Sequence, residues 1–192
     1  KLGLPEVMLG LLPGAGGTVR LPRLIGLDEA LPLILQGGTV RPDKALRLGL
    51  VDLVVPKTQL LARSVALCKE LIGGKRKKGK PKKAFAAQAT SFFVNTNPVG
   101  RSFALNKARA MVMKQTKGLY PAPLAILDVL EKGTFEAEAE AFGKLLVSPQ
   151  SAGLRHLFHC ITTLKKDDGP GTEGVEAIPV ERIGMLGAGL MG

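Results

Sequence analysis

Pro5-Glu6-Val7-Met8-Leu9-Gly10-Leu11-Leu12-Pro13-Gly14-Ala15-Gly16-Gly17-Thr18 sets one carboxylate at the head of an apolar run and closes that run in a glycine-rich loop. Gly14, Gly16 and Gly17 permit positive φ and close backbone approach, so amide N–H groups there can point into a cavity instead of into a ladder. Thr18 offers a side-chain oxygen to cap the next helix, whose positive end would face the same cavity. An acid, a loop of backbone donors and a helix terminus together form a site-building pattern. Taken alone, Glu6 is an acid before an apolar strand, and a solvated or ion-paired role fits it better than catalysis.

Downstream, Val19 to Ile25 read as a short helix stopped by Gly26, and Asp28 as the cap of a second ending at Gly37-Gly38. Thr39-Val40-Arg41 reads as extended, Pro42 opens a helix closed by Gly49, and Val51 to Val55 read as a brief strand ended by Pro56. From Leu60 to Ile72 the apolar residues Leu60, Leu61, Val65, Cys68, Leu71 and Ile72 recur on one helical face. Ala84 to Val94, Val99 to Lys114, Leu124 to Leu130 and Phe135 to Val147 read as helices. The breaks between them fall at Asn95 to Pro98, at Pro121 and Pro123, and at Gly133-Thr134. Phe103 and Met111 read as core positions, and Glu136, Glu138 and Glu140, alternating with alanines, as a solvated surface. Ser148-Pro149 is a helix start, serine as cap and proline in the first turn, for a helix reaching about Lys166.

The run from Pro5 to Thr18, continued by Arg20-Leu21-Pro22-Arg23-Leu24-Ile25-Gly26 and later by Leu48-Gly49-Leu50-Val51-Asp52, resembles the enoyl-CoA hydratase/isomerase (crotonase) superfamily. Val19 stands where that family usually has Gln. Lys114 to Pro123 and Ser148 to Ser151 resemble the region joining hydratase to dehydrogenase in multifunctional β-oxidation enzymes, in which a crotonase domain is fused to a 3-hydroxyacyl-CoA dehydrogenase, as in the trifunctional-protein α-subunit. Single-domain hydratases have no such extension.

The resemblance implies an α/β parent, a crotonase fold followed by a Rossmann domain, of which this chain is an internal, mostly α-helical fragment with a few short strands. The expected segments are 1–74, the C-terminal part of the crotonase domain; 75–166, a basic loop and linker helices; 167–181, a flexible linker; and 182–192, the first strand and turn of a dinucleotide-binding domain. It implies that Glu6 donates the α-carbon proton in hydration while a partner glutamate activates water, and that the amide of Gly14 supports that site. The partner glutamate and both oxyanion-hole amides are expected upstream of Lys1, leaving the fragment inactive alone. The long helix from Ser148 is expected to pack back on the hydratase core. A CoA thioester as substrate and a thiolase β-subunit as partner are implied in the same way. The compartment implied is the mitochondrial matrix or inner-membrane surface, with the bacterial cytoplasm as alternative. An enoyl isomerase parent stays open.

Arg182-Ile183-Gly184-Met185-Leu186 is a strand pattern running into Gly187, Gly189 and Gly192 at dinucleotide-fingerprint spacing. On spacing alone, NAD binding and an ordinary turn stand level, because the helix and the acidic residue expected about 20 positions later are not in the sequence. The resemblance favours NAD.

The net charge of +11 concentrates in Lys75, Arg76, Lys77, Lys78, Lys80, Lys82 and Lys83. A solvated loop is the simpler reading; attraction to an anionic membrane surface or to the phosphates of a CoA-type substrate is the functional one. A non-catalytic basic helical module binding anionic lipid or a protein is therefore the rival function. With no Trp and one Tyr, the chain lacks the stacking platforms of single-strand nucleic-acid binders. Cys68 and Cys160 have no metal or redox spacing, and His156 and His159, three apart, have no companion ligands, so no metal site is expected.

Overall fold

In a computed structural model, which describes residues 1–74, 92–166, 179, 181, 182 and 184, the stretch bearing Glu6 is a single 3-10 turn, Pro5–Leu9, and not a strand. Pro5 supplies the fixed φ of a first helical position. Gly10, at φ 68°, ends the turn by bending left-handed, with its N–H directed to the carbonyls of Glu6 and Val7. The flanking strands are two residues long: β1 (Leu2–Gly3) pairs antiparallel with β2 (Thr39–Val40), Leu2 opposite Val40.

Among the described residues the other regular structure is helical, with a second 3-10 turn at Lys57–Gln59. In chain order the α-helices are α1 (Gly17–Ile25), α2 (Leu27–Gln36), α3 (Pro42–Leu48), α4 (Leu60–Ile72), α5 (Pro98–Thr116), α6 (Pro121–Lys132), α7 (Phe135–Leu146) and α8 (Pro149–Leu164). Residues 92–96 are also helical. The chain divides into two units, Lys1–Phe158 and His159–Gly192. In the first, α1 packs on α2, α6 and α7, and α6 on α5 and α7. Leu12, Leu27, Ile34, Ile126, Leu127 and Leu130 fill its centre, each at most 1% exposed. Burying such a side chain contributes roughly 1.5–3 kcal/mol. In the second unit, the end of α8 carries exposed Ile161 and Leu164.

Several sequence expectations are corrected here. Val51 to Val55 does alternate between half-buried and exposed, as a strand would, but no described strand lies beside it to complete a ladder. Phe103 and Met111 are 66% and 54% exposed; the inner face of α5 is instead Leu105 and Val112, one heptad apart and turned toward α6. Pro121 and Pro123 do not break a helix but lie in the first turn of α6, where a missing N–H costs least. The apolar face of α4 exists, yet Leu61 and Ile72 are 79% and 88% exposed and no residue of that helix is buried.

Helix capping also departs from the sequence reading. Neither Thr18 nor Asp28 occupies a cap position; those positions are Gly16 and Gly26, glycines with no side chain to offer. The caps arrive from far along the chain. Asn95 Oδ1 accepts from the Leu27 N–H at 2.6 Å, while its Nδ2 donates to Asp28 Oδ1 at 2.9 Å. The cap expected at Ser148 is present, accepting from Ser151 N–H at 3.2 Å, and Asn97 and Thr134, read as breaks, also cap, accepting from Val99 N–H at 2.9 Å and Ala137 N–H at 3.2 Å.

The expected basic loop, the helix from Ala84 up to residue 91, most of the linker from Asp167 to Glu181, and Gly187, Gly189 and Gly192 lie outside the described residues. Of the strand expected from Arg182, only Arg182 and Gly184 are described, both exposed and neither in a strand.

Candidate active site

Glu6 stands second in the 3-10 turn, directly after Pro5, and its position is therefore fixed by how that turn is held. On one side Val7, 3% exposed, faces Gly37 at the end of α2, where a Cβ would meet the side chains of Met8 and Val7. On the other side two helix starts reach the turn. The Tyr120 hydroxyl donates to the Val7 carbonyl, and the Ser151 hydroxyl, wholly buried, donates to the Leu9 carbonyl at 3.0 Å.

Local sequence places both donors. Proline disfavours helical backbone in the residue before it, so Pro121 holds Tyr120 extended, at φ −121°, as the cap residue of α6. Ser151 lies in the first turn of α8, and a Cβ on Gly10 would come within 3.0 Å of its Cα. Only glycine lets the two backbones approach so closely. Burial raises the Tyr120 pKa above its ordinary 10.0, with the backbone of Gly10 pulling weakly the other way. The hydroxyl is thus a donor across the neutral range.

The carboxyl group itself is unevenly treated. Glu6 Oε2 is buried and has no hydrogen-bond partner among the described residues. Buried polar oxygens are ordinarily satisfied, and leaving one without a donor costs on the order of 1–3 kcal/mol. A carboxyl held so by its backbone, with one oxygen open to a proton or a donor, is suited to general acid–base work.

The glycine loop is arranged differently from the expectation. Two of its amide donors, those of Gly16 and Thr18, are turned to a side chain of the chain itself. Gly16 N–H donates to Glu138 Oε1 at 2.5 Å and Thr18 N–H to Glu138 Oε2 at 3.0 Å, and the Thr18 hydroxyl donates to that same Oε2. Glu138, expected on a solvated surface with Glu136 and Glu140, is 2% exposed. The positive end of α1 is accordingly satisfied by a carboxylate of the chain itself. Glu136 and Glu140 are exposed as expected, and Glu140 pairs with Lys144 at 2.6 Å, which lowers its pKa.

Residues 135, 138 and 142 share one face of α7, at helical spacing. Each touches the loop. A Cβ on Gly14 would meet the Phe142 ring at 2.4 Å, and one on Gly16 would meet Arg20 at 2.4 Å and Phe135 at 3.0 Å. The Arg20 guanidinium sits over the Phe135 ring at 5.1 Å and donates to the Ala15 carbonyl at 2.6 Å. These glycines are therefore the footprint of a helix. An apolar hollow of about 450 Å³, bordered by Leu2, Leu4, Gly17, Leu21 and Val51, lies beside the loop, and Glu6 does not line it.

The sequence reading singled out Glu6 and Gly14 as site candidates and not Tyr120, Glu138, Phe142 or Ser151, whose side chains contact the turn and the loop. The spacing of Phe135, Glu138 and Phe142 was the signal available: two aromatic residues and an acid on one helical face argue against a uniformly solvated helix. Among the described residues no group of three His, Cys, Asp or Glu could hold a metal ion, and no helix is long and apolar enough to cross a membrane.

The family described as Enoyl-CoA hydratase/isomerase matches residues 1–115. The fatty acid oxidation complex subunit alpha of Shewanella amazonensis is 42% identical over 200 residues, and that of Aliivibrio fischeri 44% identical over 201. Each alignment covers 100% of this chain and 27% of the relative, so the chain spans about a quarter of the length of these proteins.

Proposed function

The chain belongs to the enoyl-CoA hydratase/isomerase family, and on that premise we propose that it is part of a bifunctional fatty-acid β-oxidation enzyme that hydrates trans-2-enoyl-CoA and oxidises the resulting 3-hydroxyacyl-CoA with NAD. The observation that carries this reading is Glu6: it heads the family motif, in a turn fixed from both sides, with one carboxyl oxygen buried and unpartnered. Hydration adds hydroxide to the β-carbon and a proton to the α-carbon. Glu6 would deliver the α-proton, a second carboxylate would take one from water, and backbone donors would bear the charge that develops on the thioester oxygen. Gly14, at the loop and against Phe142, keeps the supporting role that the resemblance gives it.

The short coverage of the relatives supports a fragment that lacks this second carboxylate and those donors, and that is inactive alone. The later step would be served by NAD, which takes up a hydride; Gly187, Gly189 and Gly192, the residues proposed to receive it, lie outside the described residues. The word complex in the relatives' names supports a thiolase partner, and their bacterial origin favours the bacterial cytoplasm over the mitochondrion.

The test is Glu6→Gln in the full-length protein that carries this chain. Loss of the enoyl absorbance of trans-2-enoyl-CoA should slow by about 10²–10⁴-fold, the usual contribution of a positioned acid, while NAD reduction by 3-hydroxyacyl-CoA stays unchanged. Unchanged hydration overturns the assignment.

A further inference from the structure

The family match ends at residue 115, yet four side chains that hold the Glu6 turn and the glycine loop come from beyond it. Tyr120, Glu138, Phe142 and Ser151 lie on three successive helices, α6, α7 and α8. Two of them, Tyr120 and Ser151, contact the turn of the candidate acid itself, at the carbonyls of Val7 and Leu9.

These carbonyls flank the carboxyl-bearing residue. Within the turn, Glu6 and Val7 carbonyls already accept from Leu11 and Gly10 N–H at 3.1 and 3.0 Å, so the Tyr120 hydroxyl is a second donor on an engaged oxygen. A lone 3-10 turn is weakly held by its own bonds. Side-chain donors from outside, one of them fully buried, convert it into a fixed platform. The carboxyl oxygens of Glu6, by contrast, are not what these donors touch.

We propose that Tyr120 and Ser151 are positioning residues for the Glu6 carboxyl, acting through the Val7 and Leu9 carbonyls, and that the acid of this site is therefore set by helices outside the family's own match. The proposal rests on the reading of Glu6 as the acid. It assigns the segment after residue 115 a part in hydration and not only in joining domains.

A misplacement of a reacting group by about 1 Å can cost on the order of 10²-fold in rate. In the full-length protein, Tyr120→Phe and Ser151→Ala should each lower kcat for enoyl-CoA hydration by roughly tenfold with KM within about twofold, a split that marks lost transition-state positioning. Dehydrogenase activity should not change, which also reports that the protein is folded. Val129→Ala, a cavity in α6 at a 2% exposed position remote from the turn, controls for general destabilisation and should spare kcat.

The decisive step repeats Tyr120→Phe in the Glu6→Gln background. If Tyr120 acts through Glu6, the second substitution costs less than about twofold there. An equal loss in both backgrounds, no loss in either, or a matching loss from Val129→Ala overturns the positioning role while leaving Glu6 as the acid. Full hydration by Glu6→Gln alone overturns the functional reading and this inference with it.

Discussion

Glu138 and Thr18 are joined twice, through the amide and the hydroxyl of the threonine, although they lie 120 residues apart. With Gly16 as the third contact, one buried carboxylate satisfies the first turn of a helix whose cap position is glycine. Replacing Glu138 by Ala strands two amides and a hydroxyl in a buried site. The expected loss is about 2–4 kcal/mol of unfolding free energy. Gln, which presents an NH2 group to one of those donors, should cost nearly as much. A urea titration of both variants checks this, and a change below about 1 kcal/mol for Ala would show that the contact contributes little.

Gly14 carries no left-handed φ, so its need for glycine is steric: the Phe142 ring occupies the place of a side chain. Gly14→Ala should destabilise the protein by about 1–3 kcal/mol, as overpacking does. Phe142→Leu in the same chain should restore most of that, because it removes the opposing ring. Independent, additive losses in the double variant would contradict the contact.

Alkaline pH should find Tyr120 first among the groups that hold the Glu6 turn. Its pKa is raised by burial above 10.0, so the neutral form is favoured in the fold. The stability this contributes is complete below the unfolded value of about 10 and is lost as pH rises through the higher folded value. Melting temperature of the wild-type protein should therefore fall in that range more steeply than that of Tyr120→Phe, and parallel curves would refute it.

Helix α4 makes the opposite demand. Leu61→Ala and Ile72→Ala should each change stability by no more than about 0.5 kcal/mol, since both side chains are already in solvent. Ile126→Ala, at a wholly buried position, should cost about 2–5 kcal/mol. Thermal melts of the three variants separate the cases.

What the sequence disclosed was local. Gly37, Gly49 and Gly133 end their elements left-handed, and Ser148 caps the helix that follows it, because these signals act within four residues. The residues of the candidate acid and its loop were legible through resemblance. What held them was not. Asn95 and Glu138 cap helices 68 and 120 positions away, and no periodicity records a bond of that span. Phe103 and Met111 were misplaced for a related reason: α5 is apolar on more than one side, and only the position of α6 decides which side is buried. The 3-10 turn read as a strand because Val7 to Leu12 is apolar, a run that serves either form once it is too short for its period to tell.

The bonds from Tyr120 to Val7 and from Ser151 to Leu9 span 113 and 142 residues. At a synthesis rate of about 5–20 residues per second, Glu6 leaves the peptidyl-transferase centre roughly 7–30 s before the serine that secures its turn has been made. During that interval the nascent chain carries its candidate acid on an unsecured turn. Maturation of the site is thus tied to the late arrival of its supports, which places the last helices of the segment among the first needed for the chemistry.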